Sequence, residues 1–316
     1  AMITGTLITM TSNHWLLAWL GLEINMMAIA PLISKTHHPR ATEATIKYFL
    51  AQTGASMLLL FSSSINAWHT GTWDITQLTS PLACTTLTVA LCMKIGLSPM
   101  HLWLPEVMQG TTLKMALIIA TWQKLAPMSL IIMTSNSHSK LMLITMAALS
   151  IIIGGWGGIN QTQMRKIMAY SSIANMGWMI IILQQAPKLT ILTLLLYIIM
   201  TTNLFMTLTP QKTKTIKMMG TTWTLSPPMT AIMMLTLTSL GGLPPMTGFM
   251  PKWLILETML FENMTTLATI TAMATLLSLF FYLRLFYSTT MLIFPSTPTA
   301  TQKWRRQMKT TTIVTL

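Results

Sequence analysis

Long apolar runs follow one another almost without pause along this chain, each bounded by a few polar, glycine or proline residues. A helix rises about 1.5 Å per residue, so about 20 apolar residues match the roughly 30 Å hydrocarbon layer of a bilayer. The runs fall at 1–10, 13–34, 41–66, 81–104, 112–134, 140–158, 163–184, 188–209, 227–261, 264–294 and from 306 onward, which predicts about eleven transmembrane helices. The expected fold class is all-α, a polytopic membrane protein. Ala1 already stands inside an apolar run and Leu316 inside another, so the chain is expected to be incomplete at both ends.

Composition removes the other broad classes. Only 8% of the residues are charged and 52% are hydrophobic, whereas a soluble domain has about 25% charged residues. Much of the polarity is Thr and Ser, whose hydroxyls can return to a helix's own carbonyls. Cys84 and Cys92 are eight residues apart in one run, about 12 Å along a helix and too far for a disulfide. No CxxC, Cys/His cluster or GxGxxG occurs, so no iron–sulfur, zinc or nucleotide site is expected.

The net charge of +13 is an orientation signal. With loops on alternating sides, one side holds Lys35, Arg40, Lys114, Arg165, Lys166, Lys212, Lys214, Lys217, Lys303, Arg305, Arg306 and Lys309, and the other only Lys140 and Lys188. This is the asymmetry of the positive-inside rule; it excludes a nucleic-acid footprint and leaves membrane lipid as the surrounding partner. The asymmetry holds only if 227–261 is one interrupted crossing.

Two segments share a pattern of Gly-Leu-x-Pro-Met, an aromatic, a second proline and a charge. They are Gly96-Leu97-Ser98-Pro99-Met100-His101-Leu102-Trp103-Leu104-Pro105-Glu106 and Gly242-Leu243-Pro244-Pro245-Met246-Thr247-Gly248-Phe249-Met250-Pro251-Lys252. Each proline withholds a donor from the helical ladder. Freed backbone groups are tolerated at membrane depth only where protein or water satisfies them, and matched broken helices in two halves mark the ion site of repeat-built transporters. Two ordinary kinks are the competing reading.

A few ionisable residues fall inside these runs. Lys94 precedes the first break; an ammonium there costs about 3 kcal/mol unless paired or wetted, which favours handing its proton on. Glu23 lies mid-span, and a Glu23–Lys94 pair that opens and closes would switch the lysine between holding and releasing a proton; a static pair is the alternative. Lys124 is mid-span beside Pro127, too deep for easy snorkelling, and Lys252 follows Pro251 in the second break, unless that helix ends early. His101, within the first break, has a side chain suited to proton relay or to a structural hydrogen bond. Glu257 is a second acid near Lys252 or a rim residue. Lys47 and Arg284 are expected to snorkel to the basic side, and His14, His37, His38, His69 and His138 to be solvated. Trp68, Trp73, Trp223 and Trp304 read as an interfacial belt.

Several stretches carry a resemblance: Trp19-Leu20-Gly21-Leu22-Glu23-Ile24-Asn25, Glu43-Ala44-Thr45-Ile46-Lys47-Tyr48-Phe49-Leu50, Trp122-Gln123-Lys124-Leu125-Ala126-Pro127, Gly155-Trp156-Gly157-Gly158-Ile159-Asn160-Gln161-Thr162-Gln163 and Gly241-Gly242-Leu243-Pro244-Pro245. Over essentially its whole length the chain resembles the chain 2 family of mitochondrial NADH–ubiquinone oxidoreductase, core membrane-arm subunits of respiratory complex I. The resemblance implies an antiporter-like fold of two inverted five-helix repeats with broken helices, here 1–134 and 135–294, followed by a matrix loop and the start of a last span at 295–316. It implies a multi-pass protein of the mitochondrial inner membrane with its basic loops in the matrix, and other membrane-arm subunits of complex I as partners. It places a proton path on Glu23, Lys94, Lys124 and Lys252, and leaves NADH, FMN, iron–sulfur clusters and ubiquinone to other subunits, with no cofactor in this chain. In Ser171-Ser172-Ile173-Ala174-Asn175-Met176-Gly177-Trp178 the family pattern leads one to expect His where Asn175 stands; Asn cannot carry a proton.

The function expected is thus proton translocation within a respiratory complex. A stand-alone cation/proton antiporter would share the fold and the lysines but would exchange sodium for protons when reconstituted alone. An inert scaffold would keep full pumping after loss of Lys124.

Overall fold

A computed structural model describes residues 1–35, 37–211 and 213–290. The expected last span, the loop before it, and Lys212, Lys303, Trp304, Arg305, Arg306 and Lys309 lie outside the described residues. The described residues are helical almost throughout; their only bridges are isolated antiparallel pairs, His14 with Asp74 and Gln163 with Thr215.

In chain order the helices are α1 (Met2–Thr11), α2 (Trp15–Ser34), α3 (Pro39–Thr70), α4 (Pro81–Ile95), α5 (Trp103–Gly110), α6 (Leu113–Ala120), α7 (Leu125–Met133), α8 (Lys140–Ile159), α9 (Met164–Ile181), α10 (Pro187–Gln211), α11 (Ile216–Gly220), α12 (Thr222–Leu225), α13 (Pro227–Gly241), α14 (Phe249–Phe261) and α15 (Thr265–Thr289). Among the described residues six stretches are long and apolar enough to cross a bilayer: α2, α3, α6 with α7, α8, α10 and α15. Proline starts α3, α4 and α13, where its missing N–H has no intrahelical partner to lose. Seryl and threonyl hydroxyls fold back onto carbonyls three or four residues earlier, as at Thr9, Ser62, Ser150 and Thr207, which satisfies them without water.

Both expected breaks are present. α4 stops at Gly96 (φ 85) and α13 at Gly242 (φ 79), left-handed positions that suit a residue without a Cβ. The chain then turns without helix through 97–102 and 243–248 before α5 and α14 resume. Each connection contains one cis bond, Ser98–Pro99 and Pro244–Pro245. The fourth crossing runs on through α5 to Gly110, beyond the 104 expected from hydropathy, because α5 is amphipathic and carries Glu106.

A third interruption was not expected. α6 ends at Ala120 and a single 3-10 turn, Trp122–Lys124, separates it from α7. Pro127 has no N–H for the Gln123 carbonyl, and its ring crowds that carbonyl. One proline without a glycine gives an offset here where the Gly–Pro pairs give open breaks.

The charged groups sort to two ends. At one end the Arg165 guanidinium donates to the Thr111 carbonyl, the Met164 N–H to the Lys214 carbonyl at 3.1 Å, and Arg284 to the last carbonyl of α8, Ile159, at 2.8 Å. Arg40, Lys47 and Lys166 line one cavity there with Glu43 and Glu106. Lys47 does not simply snorkel; it pairs with Glu43 and, at 2.8 Å, with Glu106. At the other end Lys140 pairs with Glu262 at 3.5 Å, just past α14. That places the two ends of 227–261 on opposite sides, consistent with one broken crossing.

His138 corrects an expectation. It is only 4% exposed, bonded through Nε2 to the Thr134 hydroxyl at 2.7 Å, while Gln184 Nε2 donates to its carbonyl at 2.6 Å. Burial pushes its imidazole down to about 4. The polar loop residues around it fold inward as a plug, so its position between two spans did not mean solvation. His37, His38 and His69 are exposed, and His14 stacks on Trp73 with centroids 5.9 Å apart. Trp68 is exposed, as a belt residue should be.

Candidate functional site: a lysine axis through two small cavities

Lys94 occupies the last turn of α4, one residue before the glycine-capped break, and is 6% exposed. The neighbouring carbonyls are taken up by side chains: Trp103 Nε1 donates to Met93 at 3.1 Å and Gln52 Nε2 to Lys94 at 3.4 Å. The break is therefore held by protein polar groups, which the low-dielectric layer requires. Glu23, half-buried in the middle of α2, acts on Lys94 electrostatically. It makes no ion pair with Lys94; the ion pairs of the described residues are Lys47–Glu43, Lys47–Glu106 and Lys140–Glu262. The expected Glu23–Lys94 ion pair is thus not formed.

Lys124 closes the 3-10 turn and is 3% exposed. Its Nζ has no hydrogen-bond partner and sits 5.4 Å from the centroid of the Tyr197 ring, a cation–π contact. Lys94 and Lys124 line the same cavity, with Asn25, Tyr48, Gln52 and Gln123 among its polar walls. About 20 Å³ of it is open to the centre of a water molecule, room for one water with polar partners.

A relay of polar side chains spans this cavity. The Tyr48 hydroxyl donates to Gln123 Oε1 at 3.2 Å, and Gln123 Nε2 donates to Asn25 Oδ1 at 2.8 Å. It ties α3 and α2, the helix of Glu23, to the turn that carries Lys124. Sequence reading passed over these residues, although Asn25 and Gln123 each stand within two positions of a charge inside an apolar run.

Lys252 lies in the first turn of α14 and turns back across the break, donating to the Gly241 and Leu240 carbonyls at 3.0 and 3.3 Å. The helix it opens runs on to Phe261 and does not end early. With Asn175, Thr193 and Tyr197 it lines a second cavity, about 30 Å³ open to water centres. Asn175, the position where His was expected, is thus part of the wall of this second cavity.

The secondary candidates fall outside this line. His101 is buried, leaning on Tyr170 with centroids 6.5 Å apart, and is not among the residues that line either cavity. Glu257 is exposed and is not brought to Lys252: five residues along a helix turn the side chain by about 140°. Among the described residues no group of three or more His, Cys, Asp or Glu could hold a metal ion.

Comparison with known proteins gives the family and the fold. Residues 12–278 match the family described as NADH:quinone oxidoreductase/Mrp antiporter, TM, and residues 279–316 match NADH dehydrogenase subunit 2 C-terminus. NADH-ubiquinone oxidoreductase chain 2 of Salmo salar is 54% identical over 312 residues, 99% of this chain and 88% of that protein. Its counterpart from Struthio camelus is 53% identical over 316 residues, 100% of this chain and 91% of the other. A chain of respiratory complex I from Thermus thermophilus with bound aureothin superposes with a TM-score of 0.84 at 24% identity, covering 95% of this chain and 72% of that one. A chain of the Mrp complex from Dietzia sp. DQ12-45-1b gives 0.82 at 18%, covering 93% and 59%; these two establish the antiporter-like fold. The chain therefore belongs to the NADH-ubiquinone oxidoreductase chain 2 family, within the NADH:quinone oxidoreductase/Mrp antiporter membrane proteins.

Proposed function

We propose that this chain, as a membrane subunit of proton-pumping NADH:ubiquinone oxidoreductase in the mitochondrial inner membrane, moves protons along Glu23, Lys94, Lys124 and Lys252. The carrying observation is that Lys94 and Lys124 share one water-sized cavity while Lys252 lines a second, with Tyr197 between them. A desolvated ammonium without a carboxylate partner favours giving up its proton. When Glu23 approaches Lys94 the ammonium is stabilised and holds the proton; when the pair is open, the proton is free to pass through water to Lys124. The same step repeats across Tyr197 to Lys252, whose two carbonyl partners steady the charged form.

The oxidation of NADH and reduction of ubiquinone take place on other subunits, and the charge change that opens Glu23 from Lys94 arrives from a neighbouring membrane-arm subunit. The two glycine-capped breaks support reading 1–134 and 135–294 as two inverted repeats, each supplying one broken helix. The grouping of Arg40, Arg165, Lys166 and Lys214 at one end supports placing that end in the matrix. The test is Lys124→Met in the intact complex: protons moved per NADH should fall while NADH oxidation continues, and an unchanged ratio would make the lysines a scaffold.

A further inference from the structure

The two cavities share no lining residue, and one side chain is in contact with Lys124 from the first while lining the second. Tyr197, 2% exposed in the middle of α10, forms part of the wall of the Lys252 cavity. Its ring is at the same time the group facing the Lys124 ammonium, 5.4 Å from ring centroid to Nζ. On the lysine axis proposed above, this ring lies beside the step from Lys124 to Lys252.

The ring is held by a bond that the local backbone makes available. In an unbroken helix the Ala120 carbonyl would accept from the Lys124 N–H; here that N–H turns to the Thr121 carbonyl at 3.3 Å. The Ala120 carbonyl is left open, and the Tyr197 hydroxyl donates to it at 3.1 Å. The bond that fixes Tyr197 thus exists only because the helix is offset beside Lys124.

We propose that Tyr197 is a valve between the two water-accessible cavities, latched by its hydroxyl on the Ala120 carbonyl and opened when the 3-10 turn carrying Lys124 shifts. The ring separates the waters on its two sides, and the cation–π contact makes its position sensitive to whether Lys124 carries a proton: the charged ammonium holds the ring across the path, and the neutral amine does not. The valve role rests on the lysine axis proposed above. Gln123, bonded to Tyr48 and Asn25, lies in the same turn, so motion of α2 reaches the latch through that turn. No covalent step is involved; only a proton crosses, from ammonium to water to amine.

The test uses inside-out membrane vesicles containing the intact complex, with proton pumping per NADH and passive proton leak in the inhibited state as separate readouts. Tyr197→Phe keeps the ring and removes the latch; the leak should rise roughly tenfold, the effect of about 1.36 kcal/mol of barrier, with pumping partly retained. Tyr197→Leu removes the ring and should give the larger leak and a collapsed pumping ratio, with NADH oxidation intact. If Tyr197→Phe abolishes pumping with no added leak, the hydroxyl is itself a relay and the valve is overturned. An unchanged ratio and leak in both variants overturns it as well. Should Tyr197→Leu fail to assemble, the near-isosteric Tyr197→Phe alone decides between valve and relay. Lys124→Met, run in parallel, isolates failure of the underlying axis: if it too leaves pumping unchanged, the path is at fault and not the valve.

Discussion

The Lys252 ammonium lies 3.0 Å from the carbonyl of Gly241, the residue at which α13 ends. Charge and helix break are therefore one structure: the break supplies the acceptors that hold the charge, and the charge satisfies carbonyls that would otherwise be bare in hydrocarbon. A methyl group on Gly242 would sit 3.0 Å from both Cδ and Nζ of Lys252, at φ +79. Gly242→Ala should thus strain the backbone by about 1–2 kcal/mol and push the ammonium off its carbonyls. We expect a lowered proton-to-NADH ratio in complexes that still assemble. Gly54→Ala, whose Cβ would meet only Met93 at 3.8 Å, serves as the control and should leave the ratio as it is.

Gln123 is the joint between the helix of Glu23 and the turn of Lys124. Gln123→Leu leaves Asn25 Oδ1 without its 2.8 Å donor and the Tyr48 hydroxyl without its acceptor, each costing on the order of 1–3 kcal/mol in a dry setting. Coupling between the two halves of the first cavity should weaken, read as a fall in protons pumped per NADH. Gln123→Glu retains an acceptor for Tyr48 and should be the milder of the two in assembly. A full pumping ratio in the leucine variant would remove Gln123 from the coupling.

Helices α8 and α9 approach closely through glycine, as helices in lipid do. A Cβ on Gly177 would fall 2.2 Å from Ser150 Oγ and 2.8 Å from the Ala147 carbonyl. The hydroxyl can rotate away; the backbone oxygen cannot. Gly177→Ala should therefore separate the helices and destabilise the fold by about 1–3 kcal/mol, seen as less assembled complex on native gels. Normal assembly would mean that the seam yields more easily than the spacing indicates.

What could be read from the sequence, and what could not, divides along a physical line. The crossings were legible because hydrocarbon thickness imposes a length on every apolar run, and the two open breaks because glycine and proline act on their own backbone whatever surrounds them. Lys94, Lys124 and Lys252 stood out because charge at membrane depth is rare. The offset at Lys124 depended on a lone proline, a weaker local signal that Ala126 and Leu125 mask. Tyr197 gave no signal at all, since a tyrosine among the leucines of α10 is unremarkable until α6 presents it with a free carbonyl. Glu257 stayed open between a second acid and a rim residue because proximity in sequence ignores helical phase, and the pairing of Lys47 was missed because its partner Glu106 becomes a neighbour only once α5 has folded back beside α3.

The buried imidazole of His138 makes the stability of this chain acid-sensitive from the end opposite the basic cluster. Burial holds it down at about 4 from the ordinary 6.5, so the folded protein keeps it neutral where the unfolded chain already binds a proton. Below about 6.5 the unfolded state therefore takes up a proton that the folded state refuses, and stability falls as pH drops, by up to about 1.4 kcal/mol per pH unit until roughly pH 4. Above 6.5 both states are neutral there and the residue contributes no pH dependence. His138→Gln preserves a polar partner for the Thr134 hydroxyl and has no proton to gain. Thermal unfolding followed between pH 7.5 and 4.5 should show a shallower loss of Tm in this variant than in the parent, with the two curves meeting above neutrality. Parallel curves across the whole range would mean that protonation of His138 is tolerated in the folded loop, and that the plug formed with Gln184 opens to solvent.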